Sequence, residues 1–149
     1  MPRRSFNGAT VLVTGAGGGL GRAIAEQFAA AGAHIVALDK DAAAVASLQA
    51  ALEARGRACL ALQCDVTDPD ACARAVAAAI ERFGAIDVLV NNAGMSHRSG
   101  LAETDLAVIR RVMDVNFYGA VHCTKAALPH LVERRGQIIS ISSVAGYTP

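Results

Sequence analysis

Residues 11–39 read VLVTGAGGGLGRAIAEQFAAAGAHIVALD, and the order of patterns inside this stretch decides the fold. Val11, Leu12 and Val13 form a short apolar run that predicts a strand ending at Thr14 and Gly15. A glycine-rich loop follows, and then Leu20, Ile24 and Phe28 recur at helical spacing. Gly32 stands where a finished helix favours glycine, and HIVAL at 34–38 is a second strand-like run that stops at Asp39. A strand, a helix and a second strand in that order form one βαβ unit, whose crossover is right-handed in nearly all proteins.

The rest of the chain repeats the unit. Residues 41–55 predict an Ala-rich helix, ACLALQC at 58–64 a third strand, and 68–83 a helix with an apolar line at Cys72, Val76, Ile80 and Phe83. The start of that helix, TDPD, puts an N-cap candidate just before Pro69, where proline is well tolerated. DVLVNNAG at 87–94 is the fourth strand with its exit loop. A longer helix, Asp105 to His130, leads to the fifth strand, Gln137 to Ile141, which reads as buried. Five apolar strands alternating with four helices predict an α/β fold, a doubly wound parallel sheet covered on both faces.

Composition fits one such domain. The 149 residues match the usual size of a single domain, and no linker, low-complexity tract or charge block interrupts them. The chain is 53% hydrophobic but 4% aromatic with no Trp, so its core is built from Ala, Val, Ile and Leu. A net charge of +1 and no basic cluster beyond paired arginines argue against nucleic-acid or membrane partners. No apolar leader precedes the first strand and no run approaches a membrane span, which reads as a soluble, cytoplasmic protein. Cys59, Cys64, Cys72 and Cys123 show no metal-ligand spacing and read as small apolar filler; no metal site is expected.

In a doubly wound sheet ligands bind outside the carboxyl ends of the strands, so the strand exits carry the function. At the first, Gly15, Gly19 and Gly21 allow a diphosphate to approach the amides that open the helix, although a lone glycine-rich loop is often only a turn. At the second, Asp39 suits an acid that accepts hydrogen bonds from an adenosine ribose, or else a helix cap. At the third, Asp65 can meet an adenine amino group or, with Thr67, cap the next helix. At the fourth, Asn91 and Asn92 can bond the crevice backbone while Ala93 and Gly94 leave room for a flat ring, yet Asn and Gly also simply make turns. Asn116 falls on the stripe of Ile109, Met113 and Ala120, where a buried amide must be bonded, either tying helix to sheet or positioning a group in the site. At the fifth, Ser142 and Ser143 stand where a catalytic hydroxyl is favoured, but a lone serine needs an acidic or basic neighbour. His97 and Arg98 in MSHRSG, and Tyr147, are weaker pocket candidates.

Together these exits resemble the short-chain dehydrogenase/reductase family, across nearly the whole chain. TGAGGGLG at 14–21 matches its TGxxxGxG loop, NNAG at 91–94 its sheet-stabilising motif, VN at 115–116 its active-site asparagine, and ISS at 141–143 its catalytic-serine strand. The resemblance implies a cofactor site on Gly15, Gly17, Gly18, Gly19, Leu20 and Gly21, on Asp39, Asp65 and Val66, and on Asn92, Ala93, Gly94 and Val115. It implies NAD rather than NADP, since Asp39 repels an extra phosphate, with Lys40 acting against that preference. It also implies a small-molecule alcohol or carbonyl substrate polarised by Ser143, a relay water held by Asn116, and a homo-oligomer.

The family's acid/base is a Tyr in a YxxxK motif beyond the serine, and no such pair lies in these 149 residues; Tyr147 has no Lys after it. The chain therefore reads as a Rossmann domain incomplete at its C-terminus, inactive alone and self-associating through an uncovered edge. The alternatives are a dinucleotide-binding module without turnover and, more remotely, an S-adenosylmethionine methyltransferase, which leaves NNAG and ISS unexplained.

Overall fold

The computed structural model describes residues 5–143. Five strands, β1 (Thr10–Thr14), β2 (His34–Asp39), β3 (Cys59–Gln63), β4 (Val88–Asn91) and β5 (Gln137–Ser140), form one parallel sheet in the order β3-β2-β1-β4-β5. The strand order reverses between β1 and β4, and the crevice at that switch point is where such sheets bind ligands. Helices α1 (Gly19–Ala30), α2 (Ala42–Glu53) and α3 (Pro69–Phe83) are the first three crossovers. The fourth comprises α4 (Leu106–Met113), a π turn (Asp114–Tyr118) and α5 (Gly119–Arg134).

Strand alternation sorts the core into two layers. Val11 and Val13 pack with Ala25, Ala29, Val45, Leu48 and Leu52 of α1 and α2. Leu12 faces the other way, against Cys72, Val76 and Ala79 of α3 and Cys123, Ala127 and Leu131 of α5. Cys59 and Cys64 fall in opposite layers, and all four cysteines are buried free thiols. Burial pushes the Cys59 thiol up to about 12, with the Glu53 carboxylate adding to the shift.

Two sequence expectations need correction. The fourth crossover is not one helix ending at His130: it carries the π turn and runs on to Arg134 through Pro129, whose exposed position lets water serve the carbonyl that lacks an amide partner. The π turn rephases the helix, so the buried stripe is Gly119, Cys123, Ala127 and Leu131, while Asn116 and Met113 are exposed. The fifth strand is not buried either. Its apolar run reads as buried, but among the described residues it stands at the sheet edge, where an uncovered edge was expected, with all four residues exposed.

Candidate cofactor and active site

Thr14 ends β1, and the loop turns at Gly15 with φ 65°, a left-handed conformation that glycine adopts without strain. Gly21, on the first turn of α1, allows the closest approach: a Cβ there would drive into the Gly15 carbonyl and lie 2.5 Å from Asn92 Nδ2. Helix α1 therefore starts against the loop it follows, with Gly18 as a cap residue that offers no side chain and no acid in the first turn. The other crossover helices that begin after a loop are capped by Asp41, Asp68 and Asp105. Among the described helices that begin after a loop, α1 alone has no side-chain acceptor at its leading amides, an arrangement suited to an anion.

Asp39 is not the cap of α2; Asp41 is, accepting from the Ala44 amide at 3.0 Å. Asp39 instead bridges two loops, taking the Gly17 amide on Oδ2 at 3.0 Å and the Asp41 amide on Oδ1 at 3.0 Å. Gly17 must be small for this, because a Cβ would sit 2.7 Å from that of Ala44. Asp65 does not cap α3, a role that falls to Asp68 immediately before Pro69. Its Oδ1 accepts from the Thr67 amide at 3.0 Å and from the Thr67 hydroxyl at 2.8 Å. These two bonds hold the Asp65 carboxyl below the usual carboxylate range, helped more weakly by Arg111 and Lys40.

Thr14 and Asn92 lock the first and fourth exits together. The Thr14 hydroxyl accepts the Asn92 and Ala93 amides at 3.0 and 2.9 Å, and Asn92 Nδ2 donates to the carbonyls of Thr14 and Gly15 at 2.9 and 3.2 Å. Asn91 does not bond the crevice backbone through its side chain; its Nδ2 donates to Thr124 Oγ1 on α5 at 3.0 Å, while Oδ1 is buried without a partner among the described residues. Asn116 takes the Met95 amide on Oδ1 at 2.8 Å and donates Nδ2 to the Met95 carbonyl at 2.9 Å. Both ends of that amide are thus committed to the loop after Gly94, although the residue is exposed rather than buried.

The carboxyl ends enclose a crevice of about 400 Å3. Of the residues named from sequence, Gly15, Gly18, Leu20, Gly21, Asp39, Asp65, Val66, Asn92, Ala93, Gly94 and Val115 line it. Gly17 and Gly19 stand in the same loop, the former behind Asp39. Ser143 is exposed beyond the carboxyl end of β5, where Ile141 still bonds the Asn91 carbonyl at 2.9 Å. His97 bonds Ser99 in an exposed loop, neither it nor Arg98 lines the crevice, and Tyr147 lies outside the described residues. The sequence reading missed Cys64, Met95 and Arg111 as lining residues and weighed Lys40 only as a charge. Position gave a signal for Cys64 and Met95, each next to a named exit residue, whereas Arg111 enters from α4, whose rotation no motif fixes.

Across residues 9–149 the chain matches the family model described as short chain dehydrogenase, and it belongs to that family. It is 41% identical over 143 residues to dehydrogenase/reductase SDR family member 7B of Mus musculus, an alignment covering 93% of this chain and 44% of that protein. It is 40% identical over 141 residues to meso-2,3-butanediol dehydrogenase of Serratia marcescens, covering 95% of this chain and 55% of that one. A 7α-hydroxysteroid dehydrogenase solved with NADH and 7-oxo glycochenodeoxycholic acid superposes with a TM-score of 0.93 at 30% identity, over 97% of this chain and 57% of that one. The chain thus spans about half the length of the curated relatives it matches.

Proposed function

We propose that the crevice binds NAD(H), in preference to NADP(H), and that the chain supplies the cofactor-binding half of an oxidoreductase moving hydride between nicotinamide and a small alcohol or carbonyl substrate. The observation that carries this reading is the uncapped start of α1, opening on a crevice whose far lip is the Asp39 carboxylate. The α1 amides are free to take the diphosphate; Asp39, fixed by Gly17 and Asp41, is aimed to receive ribose hydroxyls. Asp65 and Val66 flank the adenine end, while Asn92, Ala93, Gly94 and Val115 flank the nicotinamide end. The NADH held by the steroid dehydrogenase neighbour supports the assignment.

For the reaction, bound NAD supplies the hydride acceptor. Ser143, at the exit of β5, bonds the substrate oxygen and orients it. Asn116 would hold a relay water through its backbone, since its side-chain amide is committed to Met95. A cytoplasmic location accords with the described residues, none of whose helices is long and apolar enough to cross a membrane.

A second reading, a dinucleotide-binding module without turnover, applies to the 149 residues taken alone, because they contain no YxxxK. NADH oxidation with a panel of ketones and aldehydes separates the two. Turnover should be confined to a chain continued through a YxxxK and be lost there in Ser143→Ala. A general acid contributes about 10² to 10⁴ in rate, so the 149-residue chain should show no turnover above background. Serine-dependent turnover by the shorter chain would refute the assigned acid/base.

A further inference from the structure

We propose that His122 is a positioning residue for the adenosine end of the crevice, acting through the carbonyl of Val66. The inference rests on the reading of that crevice as a dinucleotide site. His122 lies one turn beyond the π turn on α5, and its Nδ1 is 2.9 Å from the Val66 carbonyl. A carbonyl only accepts, so Nδ1 carries the proton and donates. Val66 lines the crevice and is only 7% exposed. Its side chain is gripped from the same helix, since a Cβ on Gly119 would lie 2.6 Å from Val66 Cγ2.

The other tie on this carbonyl is weak, a contact from Cys72 Sγ at 3.6 Å. A thiol is a poor donor, so the imidazole is the bond that fixes the peptide between Val66 and Thr67. That peptide carries the Thr67 amide bonded by Asp65, so its orientation sets where the Asp65 carboxylate stands. The same helical segment also bonds Asn91 through Thr124 and Met95 through Asn116. One rigid element therefore holds both ends of the crevice rim, and His122 is its grip on the adenosine side.

The test measures Kd for NADH by fluorescence titration of the 149-residue chain, then competition by AMP and by nicotinamide mononucleotide, with melting followed in parallel. His122→Phe keeps a ring but removes the donor; His122→Asn places an amide nitrogen near the position of Nδ1. We expect His122→Phe to weaken NADH and AMP roughly five- to tenfold while leaving nicotinamide mononucleotide unchanged, and His122→Asn to restore most of the loss. Unchanged AMP affinity in His122→Phe, or equal losses for the two halves, would overturn the assignment. If His122→Phe does not fold, His122→Leu repeats the comparison, and collapse of both would show the bond to be structural alone, overturning the proposal. A wild-type chain that binds neither NADH nor AMP would instead refute the reading of the crevice, and the inference with it.

Discussion

Asp39 and Gly17 are joined across the mouth of the crevice, the glycine amide donating to Oδ2 at 3.0 Å, so the acid of the second strand is fixed by the loop of the first. A carboxylate held in place cannot swing aside for a 2′-phosphate. Asp39→Ala should therefore raise relative NADP(H) affinity, and also destabilise the chain by about 1 kcal/mol, mainly through the part-buried Gly17 amide, since the exposed Asp41 amide can turn to water. Paired titrations with NADH and NADPH, alongside thermal unfolding, check both halves of the statement; an unchanged affinity ratio removes Asp39 from cofactor choice.

The Thr14–Asn92 lock predicts a pair of contrasting substitutions. Thr14→Val leaves the Asn92 and Ala93 amides without their acceptor in a buried place and should cost about 1 to 3 kcal/mol. Thr14→Ser keeps the hydroxyl and should cost markedly less. A Thr14→Val variant that loses no more than Thr14→Ser in urea unfolding would show that these hydrogen bonds do not hold the junction, since valine keeps the methyl group and lacks only the hydroxyl.

Asp65 gives a pH dependence. Its carboxyl is held low by Thr67, first through the amide and then through the hydroxyl. A lowered native pKa means that the unfolded chain binds the proton more readily, so this contribution is complete above the ordinary value of 3.8 and fades as pH falls through the lowered one. Thr67→Val should shrink the acid-side loss of stability and leave the neutral-to-alkaline side parallel to wild type. A native Asp65 that titrates in NMR at its ordinary value would contradict the assignment.

Much of this was legible in the sequence. Val11–Val13, the glycine loop and HIVAL fix β1, α1 and β2 because period and turn chemistry agree there, and Asp68 before Pro69 marks the start of α3. The π turn was not legible, since it is set by contacts distant in sequence: Gly119 against Val66 and Asn116 against Met95. No local pattern encodes either. The open edge of β5 was expected, but the burial of its side chains was misread, because an apolar run reports what a strand can bury rather than whether anything lies against it. His122 carried no motif at all, and its partner is 56 residues away.

Arg135 ends α5 in the left-handed region, φ 51° and ψ 41°, where a non-glycine residue is strained. Arg135→Gly should stabilise the chain by about 0.5 to 1 kcal/mol, the relief of strain outweighing the added freedom of the unfolded state. A lower melting temperature in that variant would show the arginine to be making a compensating contact.

Along β5 and just beyond it, Ile138, Ile139 and Ile141 are 43%, 36% and 40% exposed, beside a strand edge that no other described strand pairs with. Such an edge pairs readily with another chain. The 149-residue chain is expected to self-associate, and Ile139→Lys to reduce the associated fraction in light scattering. A wild-type monomer at high concentration would contradict this.

The central claim is that the crevice is an NAD site, and calorimetric titration of the 149-residue chain with NADH and with NADPH tests it most directly. A carboxylate beside a 2′-phosphate costs about 1 to 4 kcal/mol, so NADH should bind roughly fivefold to several-hundredfold tighter. Binding of neither nucleotide by a folded chain, or tighter binding of NADPH, would contradict the account.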